Sequence, residues 1–259
     1  MKLSVVIITL NEERNLARCL TSLEGLADEI IVVDSYSSDR TKDIALNFNA
    51  KFILNKFEGH IQQKNFALLQ AQGDWILSLD ADEALDNCLR ESIKMVLDCP
   101  DQKFGYTMNR LTNYCGKWIR HCGWYPDTKL RLIRNGKAEW RGVNPHDKLE
   151  LMESNNSGHL QGDILHYSYY SKEDHYKQIE YFGSIAAKEM FASNKKVSLA
   201  FSTIKMIAQF LKSYFLRLGF LDGVAGWNVS VRSAFATHRK YAILRELWRK
   251  TKSHSRMDQ

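Results

Sequence analysis

The chain has 259 residues, 44% of them hydrophobic, with only 3 Pro and 14 Gly, enough for one large core and unlike a repeat, low-complexity or disordered chain. Its net charge of +6 is unevenly held: residues 196–259 carry 12 Lys/Arg against three acids, a net of +9, so the first 195 residues sum to −3. That excludes a uniformly basic chain and points to an anionic partner for the C-terminal quarter alone.

In chain order, LSVVIITL is a continuous apolar, β-branched run, as in a strand covered on both faces. Lys2 precedes it, but NEER follows at once with no small-residue cleavage site, so it reads as a strand and not as an export signal. NEERNLARCLTSLEGL places Leu16, Leu20 and Leu23 at helical spacing, with Asn11 as the expected cap. The unit then repeats: EIIVVD as strand, SDRTKDIALNF as helix, KFIL as strand, IQQKNFALLQAQ as helix and WILSLD as strand. This alternation predicts an α/β protein, a Rossmann-like, doubly wound, mostly parallel sheet whose ligand crevice lies at the carboxyl ends of the strands. After residue 100 the alternation stops, and KFGYTMNRLTNY, TKLRLIR and GDILHYSY read as strands. Between Phe201 and Leu218, residues Ile204, Ile207, Leu211, Tyr214 and Phe215 recur at helical spacing, and a second helical stretch runs from about Gly226 to Trp248. No uncharged apolar run approaches the roughly 18 residues that span a bilayer, and the five scattered cysteines contain no C-x-x-C pair. The expectation is a cytoplasmic protein with reduced thiols. Cys115 and Cys122 have no further Cys/His pair at a spacing that would complete a metal site.

The stretch LSLDADEAL carries the first chemical signal. Two carboxylates, Asp80 and Asp82, end a buried strand. One reading is a solvated strand end running into a helix cap, with Ala84, Leu85 and Leu89 starting the helix and Glu83 an ordinary acid of its first turn. The other is a clamp for a hard divalent cation, Mg²⁺ or Mn²⁺, which joins one or two carboxylates to phosphate oxygens. By strand order Asp34, Thr9, Asn11 and Glu12 should face the same crevice. The turn TLNEERN has no glycine, which excludes the G-x-G-x-x-G dinucleotide fingerprint, and no phosphate loop of the G-x-x-x-x-G-K-[ST] type is present.

The stretches SVVIITLNEERNLARCL, EIIVVDSYSSDRT, KNFALLQAQGDWILSLDADE and NRLTNYCGKWIRHCGWYPDTKLRLIRNG together resemble the family-two inverting glycosyltransferases of the GT-A fold. Within that family they are most similar to bacterial enzymes of the lipopolysaccharide inner core. The resemblance implies a nucleoside-diphosphate sugar donor, most often a UDP-sugar. Thr9, Asn11 and Glu12 would line its nucleoside pocket, Asp34 would hold the base, and Lys64 would stand where the family commonly has an Arg. Asp80 would contact the donor and Asp82 the cation. Each has a plainer reading: a helix-start cluster for the first three, a turn-starting Asp for Asp34, a solvated helix lysine for Lys64.

The same resemblance divides residues 1–195 into a nucleotide-sugar half (1–100) and a β-rich acceptor half (101–195), followed by a basic amphipathic helical region (196–259). On the acceptor side Trp118, Trp124 and Tyr125 either stack on sugar faces or pack the sheet. Arg120, Arg131, Arg134 and Arg141 either hold acidic sugars or lie on the surface. Inverting transfer needs a base for the attacking hydroxyl, and RGVNPHDKLE supplies His146 and Asp147. Relatives have a His-Glu pair here with the acid as base, which implies that role for Asp147; NPHD is also a good turn. His166 is a structural strand histidine or, as the resemblance implies, a second metal ligand. The basic helices either pack on the catalytic domain or lie on an anionic membrane surface, and no nucleic-acid recognition motif occurs. The expected function is transfer of a sugar, glucose by resemblance, to a lipopolysaccharide-core or other lipid-linked acceptor at the inner face of the cytoplasmic membrane. The alternative is a non-catalytic nucleotide-sugar or membrane-binding protein with the same fold.

Overall fold

The computed structural model describes residues 1–99, 102–143, 146–153 and 156–257. They form two compact units: residues 1–111 with 126–167, and residues 112–125 with 168–257.

In the first unit, β1 (Leu3–Thr9), β2 (Glu29–Asp34), β3 (Lys51–Leu54) and β4 (Trp75–Asp80) form a parallel array in the order β3-β2-β1-β4. Alternate residues serve opposite faces. Leu3, Val5, Ile7, Trp75, Leu77 and Leu79 pack under α1 (Leu16–Thr21), α2 (Thr41–Asn47) and α4 (Asn87–Asp98). Val6, Ile31, Val33 and Ile76 pack under α3 (His60–Leu69). Burial on both faces is why these strands read as unbroken apolar runs. The order reverses between β1 and β4, which locates the switch point of a doubly wound sheet beside Thr9 and Asp80.

The sheet continues past β4 with β8 (Asp127–Arg134), β6 (Gly105–Tyr114), β11 (Ser157–Tyr169) and the short β5 (Glu83–Leu85); β8 pairs antiparallel with β4 and β6, and β5 antiparallel with β11. The β-rich second half thus extends the parallel half as one sheet. A separate hairpin, β9 (Ala138–Val143) and β10 (His146–Leu151), lies against α3, burying Trp140 and Leu149 beside Ala67 and Leu68. Asn144 and Pro145, the middle of the expected NPHD turn, lie outside the described residues.

Two local expectations are corrected. Asn11 does not cap α1: it has φ 56°, and its side-chain oxygen accepts from the Ser38 N–H, while Asn15 stands at the cap position. Ala84 and Leu85 belong to β5 and not to a helix; α4 starts at Asn87, capped by Asp86, whose carboxylate accepts from the Leu89 N–H. At Gly162 (φ +98°) a Cβ would lie 2.2 Å from the Leu89 nitrogen, so this strand can cross the α4 cap only with glycine.

The second unit contains β7 (Lys117–Ile119), paired with the end of β6, and α5 (Lys172–Ala192), α6 (Leu199–Leu211) and α7 (Gly223–Met257). α5 packs on α7 and so belongs to this second unit. The expected continuous helix to Leu218 is also interrupted: after α6 come a π-helical turn (Lys212–Leu216), Leu218 at φ 54° and a 3₁₀ turn (Gly219–Asp222). Among the described residues no helix is long and apolar enough to cross a membrane.

Candidate active site

Strand alternation aims Asp80 at the α3 face. It follows Ile76 and Ser78 on the same side of β4, and there it meets Lys64 of α3, whose Nζ lies 3.0 Å from Asp80 Oδ1 and 2.9 Å from Asp147 Oδ2. The hairpin that carries Asp147 is held by the neighbouring residue Asn65. Its side-chain oxygen accepts from the Trp140 N–H at 2.8 Å and its amide donates to the Trp140 carbonyl at 2.9 Å. The Lys64 ammonium lies 4.1 Å from the centre of the Trp140 ring. One turn of α3 therefore brings together two acids that are 67 residues apart in sequence.

Arg131 is buried beneath this group, with a side chain only 3% exposed. The β6–β8 register runs Tyr106 to Leu132 and then Thr107 to Leu130, which leaves Arg131 unpaired at a bulge. Such bulges re-aim a side chain. Its Nη2 lies 3.1 Å from Asp80 Oδ2 and 2.9 Å from Glu83 Oε1. Glu83, with its side chain 0% exposed, also accepts from the Asp80 N–H at 3.0 Å and pairs with Arg110 at 3.4 Å; Arg110 in turn holds Asp127. Glu83 is thus no helix-turn acid but the buried counter-ion of two arginines. Arg131, expected among the acceptor contacts, is committed to Asp80 and Glu83. Burial would raise the Asp80 carboxyl, but Lys64 and Arg131 outweigh it and hold it well below the usual carboxylate range. Burial would likewise weaken the Arg131 cation, and Glu83 and Asp80 more than compensate. Lys64, Asp80, Arg110, Arg131, Trp140 and Asp147 line a cavity of about 540 Å³.

Asp82 and His166 meet through strand pairing. His166 stands opposite Glu83 in the β5–β11 register, the Tyr167 N–H donates to the Asp82 carbonyl, and His166 Nε2 lies 3.2 Å from Asp82 Oδ2. Burial opposes ionisation of Asp82, and His166 overcomes it, drawing the carboxyl below its usual value. Among the described residues no group of three His, Cys, Asp or Glu is arranged to hold a metal by itself. One carboxylate and one imidazole side by side are a donor pair that would suit a divalent cation.

The other donor-side residues divide in two. Asp34 is buried, accepting from Thr9 Oγ1 at 2.7 Å, from the Ser37 N–H at 2.7 Å and from Ser37 Oγ at 2.5 Å. In this arrangement Thr9 and Asp34 organise the loop after β2. Asn11 is exposed and Glu12 half-buried; the Glu12 N–H donates to Thr41 Oγ1 and its carboxylate accepts from Asn15. Burial first, then Asp82, Asp39 and Asp80, push the Glu12 carboxyl up to about 7, against the opposing Asn15 hydrogen bond.

Several acceptor candidates are engaged elsewhere. Trp124 belongs to the second unit, stacked on Tyr169 with ring centres 5.4 Å apart and edge-on to Tyr114 and His175. Tyr125, in the same unit, has Arg120 over its ring. Arg134 lies over Trp75, and Arg141 pairs with Glu139. Asn65, Arg110 and Trp140 went unread in the sequence, although alternation of Ala138 and Trp140 with Glu139 and Arg141 marks a strand.

The sequence profile described as "Glycosyl transferase family 2" matches residues 4–102. An uncharacterized glycosyltransferase of Rickettsia typhi is 32% identical, across 97% of this chain and 89% of its own length. The lipopolysaccharide core biosynthesis glycosyltransferase LpsC of Rhizobium meliloti is 27% identical, across 94% of each. Glucosyl-3-phosphoglycerate synthase from Mycobacterium tuberculosis, crystallised with Mn²⁺, UDP and glucosyl-3-phosphoglycerate, is 23% identical over 43% of this chain and 44% of that one, with a TM-score of 0.36. With a switch-point crevice, a D-x-D at the end of β4 and this full-length kinship, the chain belongs to glycosyl transferase family 2, with the GT-A type of α/β fold.

Proposed function

We propose that this glycosyltransferase moves a hexosyl group, glucose in our reading, from a UDP-sugar to a lipopolysaccharide-core or other lipid-linked acceptor, with inversion at the anomeric carbon. The observation that carries the reading is the meeting of Asp80, Lys64 and Asp147 within 3.0 Å contacts beside the Asp82–His166 pair. In this reading Asp147 accepts the proton of the attacking hydroxyl as the oxygen–carbon bond forms, and the diphosphate leaves from the opposite face. Asp80 contacts the donor, and Lys64 bridges it to Asp147 while presenting positive charge toward the diphosphate. Thr9, Asn11, Glu12 and Asp34 shape the nucleoside pocket.

Asp82 and His166 would hold Mg²⁺ or Mn²⁺. The cation would neutralise charge on the departing diphosphate. The buried Glu83–Arg131 pair supports Asp80 from below. The lipopolysaccharide assignment leans on the kinship with LpsC along the whole chain. An acceptor of that kind places the enzyme at the inner face of the cytoplasmic membrane, where the net of +9 in residues 196–259 favours an anionic surface.

Purified protein offered a panel of nucleotide sugars, with Mg²⁺, Mn²⁺ or chelator, tests the donor and metal assignments. Slow metal-dependent hydrolysis of UDP-glucose above the other donors is expected. Equal turnover in excess chelator would remove the cation from the account, and no turnover or binding of any nucleotide sugar would remove the donor.

A further inference from the structure

The second unit contains a helical hairpin whose packing is inverted relative to a water-soluble one. Its inner seam includes small and polar groups, beside a Phe201–Tyr241 ring contact. Ser202 accepts from Arg245 of α7 at 2.8 Å, and Ser213 lies 3.0 Å from Ser230 of α7. A Cβ on Gly226 would sit 1.8 Å from the Gly219 carbonyl oxygen, so the turn and α7 approach at backbone distance. The outer face is the apolar one: Ile204, Ile207, Leu211 and Phe215 are exposed along α6 and the π-helical turn, and Leu216 and Val224 are each 79% exposed. Trp227 packs 5.3 Å from both Phe210 and Tyr214, and Tyr214 6.2 Å from Phe220, which joins α6, the turns and the start of α7 into one continuous patch.

A helix at a water surface turns its apolar stripe inward, and large exposed apolar patches mark interaction sites. Small residues at a helix seam with bulky apolar residues outside are the arrangement of helices that face lipid. The charges decide among occupants. Lys205, Lys212 and Arg217 are exposed within the same stretch. The acids of α6, the turns and α7 are both engaged: Asp222 is buried against His121, and Glu246 pairs with Arg239. A second copy of the chain would bring like charges to this face, whereas anionic headgroups complement it. At about 1.5 Å per residue the 13 residues of α6 are too short to span a bilayer, so the hairpin would lie in the interface plane.

We propose that the α6–α7 hairpin is a monotopic insertion element: its face from Ile204 to Trp227 enters the headgroup–acyl boundary of an anionic bilayer, with Lys205, Lys212 and Arg217 at the phosphates. This deepens the membrane partner named above and rests on the second unit alone, independent of the transfer chemistry.

The test is flotation of the full chain with vesicles of phosphatidylcholine, with and without phosphatidylglycerol. Wild type is expected to float with the anionic vesicles, at least about tenfold more than with neutral ones, and to keep a bound fraction at high salt because apolar contact survives screening. The L216E/L221E variant, altered at two exposed positions, should lose about tenfold or more of that binding while keeping its far-UV spectrum and donor hydrolysis. Bromolipids should quench wild-type fluorescence more than that of W227F. Equal flotation of wild type and L216E/L221E, or complete release by salt, would overturn insertion. So would a dimer in light scattering that L216E/L221E dissociates, which would assign the face to a second copy. Flotation without donor turnover would sink the transfer reading and leave this one standing; turnover without flotation would do the reverse.

Discussion

Arg131→Met separates a buried strut from an acceptor contact. The guanidinium is 3% exposed and is shared between Asp80 at 3.1 Å and a Glu83 side chain with 0% exposure. Breaking a buried pair from one side costs about 3–5 kcal/mol, because the surviving charge is left uncompensated. Two contacts moderate the loss here: Asp80 keeps Lys64 at 3.0 Å, and Glu83 keeps Arg110 at 3.4 Å. The low end, about 3 kcal/mol, is therefore expected, and at roughly 2–4 °C per kcal/mol this lowers the melting temperature by about 6–12 °C. Glu83→Gln should cost less, about 1–3 kcal/mol, since Arg131 then keeps Asp80 and Arg110 keeps Asp127. The double variant should be more stable than the sum of the two losses implies, by about 0.5–3 kcal/mol. Urea unfolding of the four proteins at one pH measures all three quantities. Arg131→Met within about 1 kcal/mol of wild type, with acceptor KM raised instead, would refute the strut and restore the acceptor contact.

Asn65→Ala removes both hydrogen bonds that tie Trp140 of β9 to α3. It should cost about 1–3 kcal/mol in urea unfolding and lower the transfer rate by displacing Asp147, with donor affinity little changed; a stability loss with full transfer would show that the hairpin is held otherwise. Glu12 is the pH-sensitive acid: its carboxyl is pushed up to about 7 from the usual 4.5, so the stability of its neutral form is complete below about 4.5 and lost as pH rises through 7. Glu12→Gln should therefore match wild type in melting temperature near pH 4.5 and exceed it at pH 8, and equal melting temperatures at pH 8 would contradict the burial and crowding assigned to Glu12.

The parallel half of the fold was legible because its strands are covered on both sides and so read as unbroken apolar runs. The same alternation carried Asp80 into the crevice, and the family resemblance added Lys64, Asp82, His166 and Asp147. The ion pairs of Arg131 with Asp80 and Glu83 were not legible, because the bulge breaks the alternation that would have shown its direction. Glu83 looked like a helix-turn acid because D-E-A-L resembles a helix start, whereas pairing with β11, about 80 residues later, makes it a strand. On α6, periodicity revealed an apolar stripe but not which way it faces; that Ser202 and Ser213 turn inward and the stripe outward shows only in three dimensions. The packing of α5 on α7 was hidden for a similar reason, since nothing local in α5 announces it.

The most direct measurement of the central claim compares Asp147→Asn with Asp82→Asn in transfer from UDP-glucose to a lipopolysaccharide-core acceptor, with donor and Mn²⁺ affinity measured alongside. In the proposed mechanism Asp147 serves the attacking hydroxyl and Asp82 the opposite end of the displacement, so the two variants must fail differently. Asp147→Asn should lower the transfer rate by about 10²- to 10⁴-fold, roughly 3–5 kcal/mol of barrier, with donor and metal affinity nearly unchanged. Asp82→Asn should lose donor and metal binding together. Transfer by Asp147→Asn within about threefold of wild type, or the same loss of donor affinity in both variants, would contradict the account.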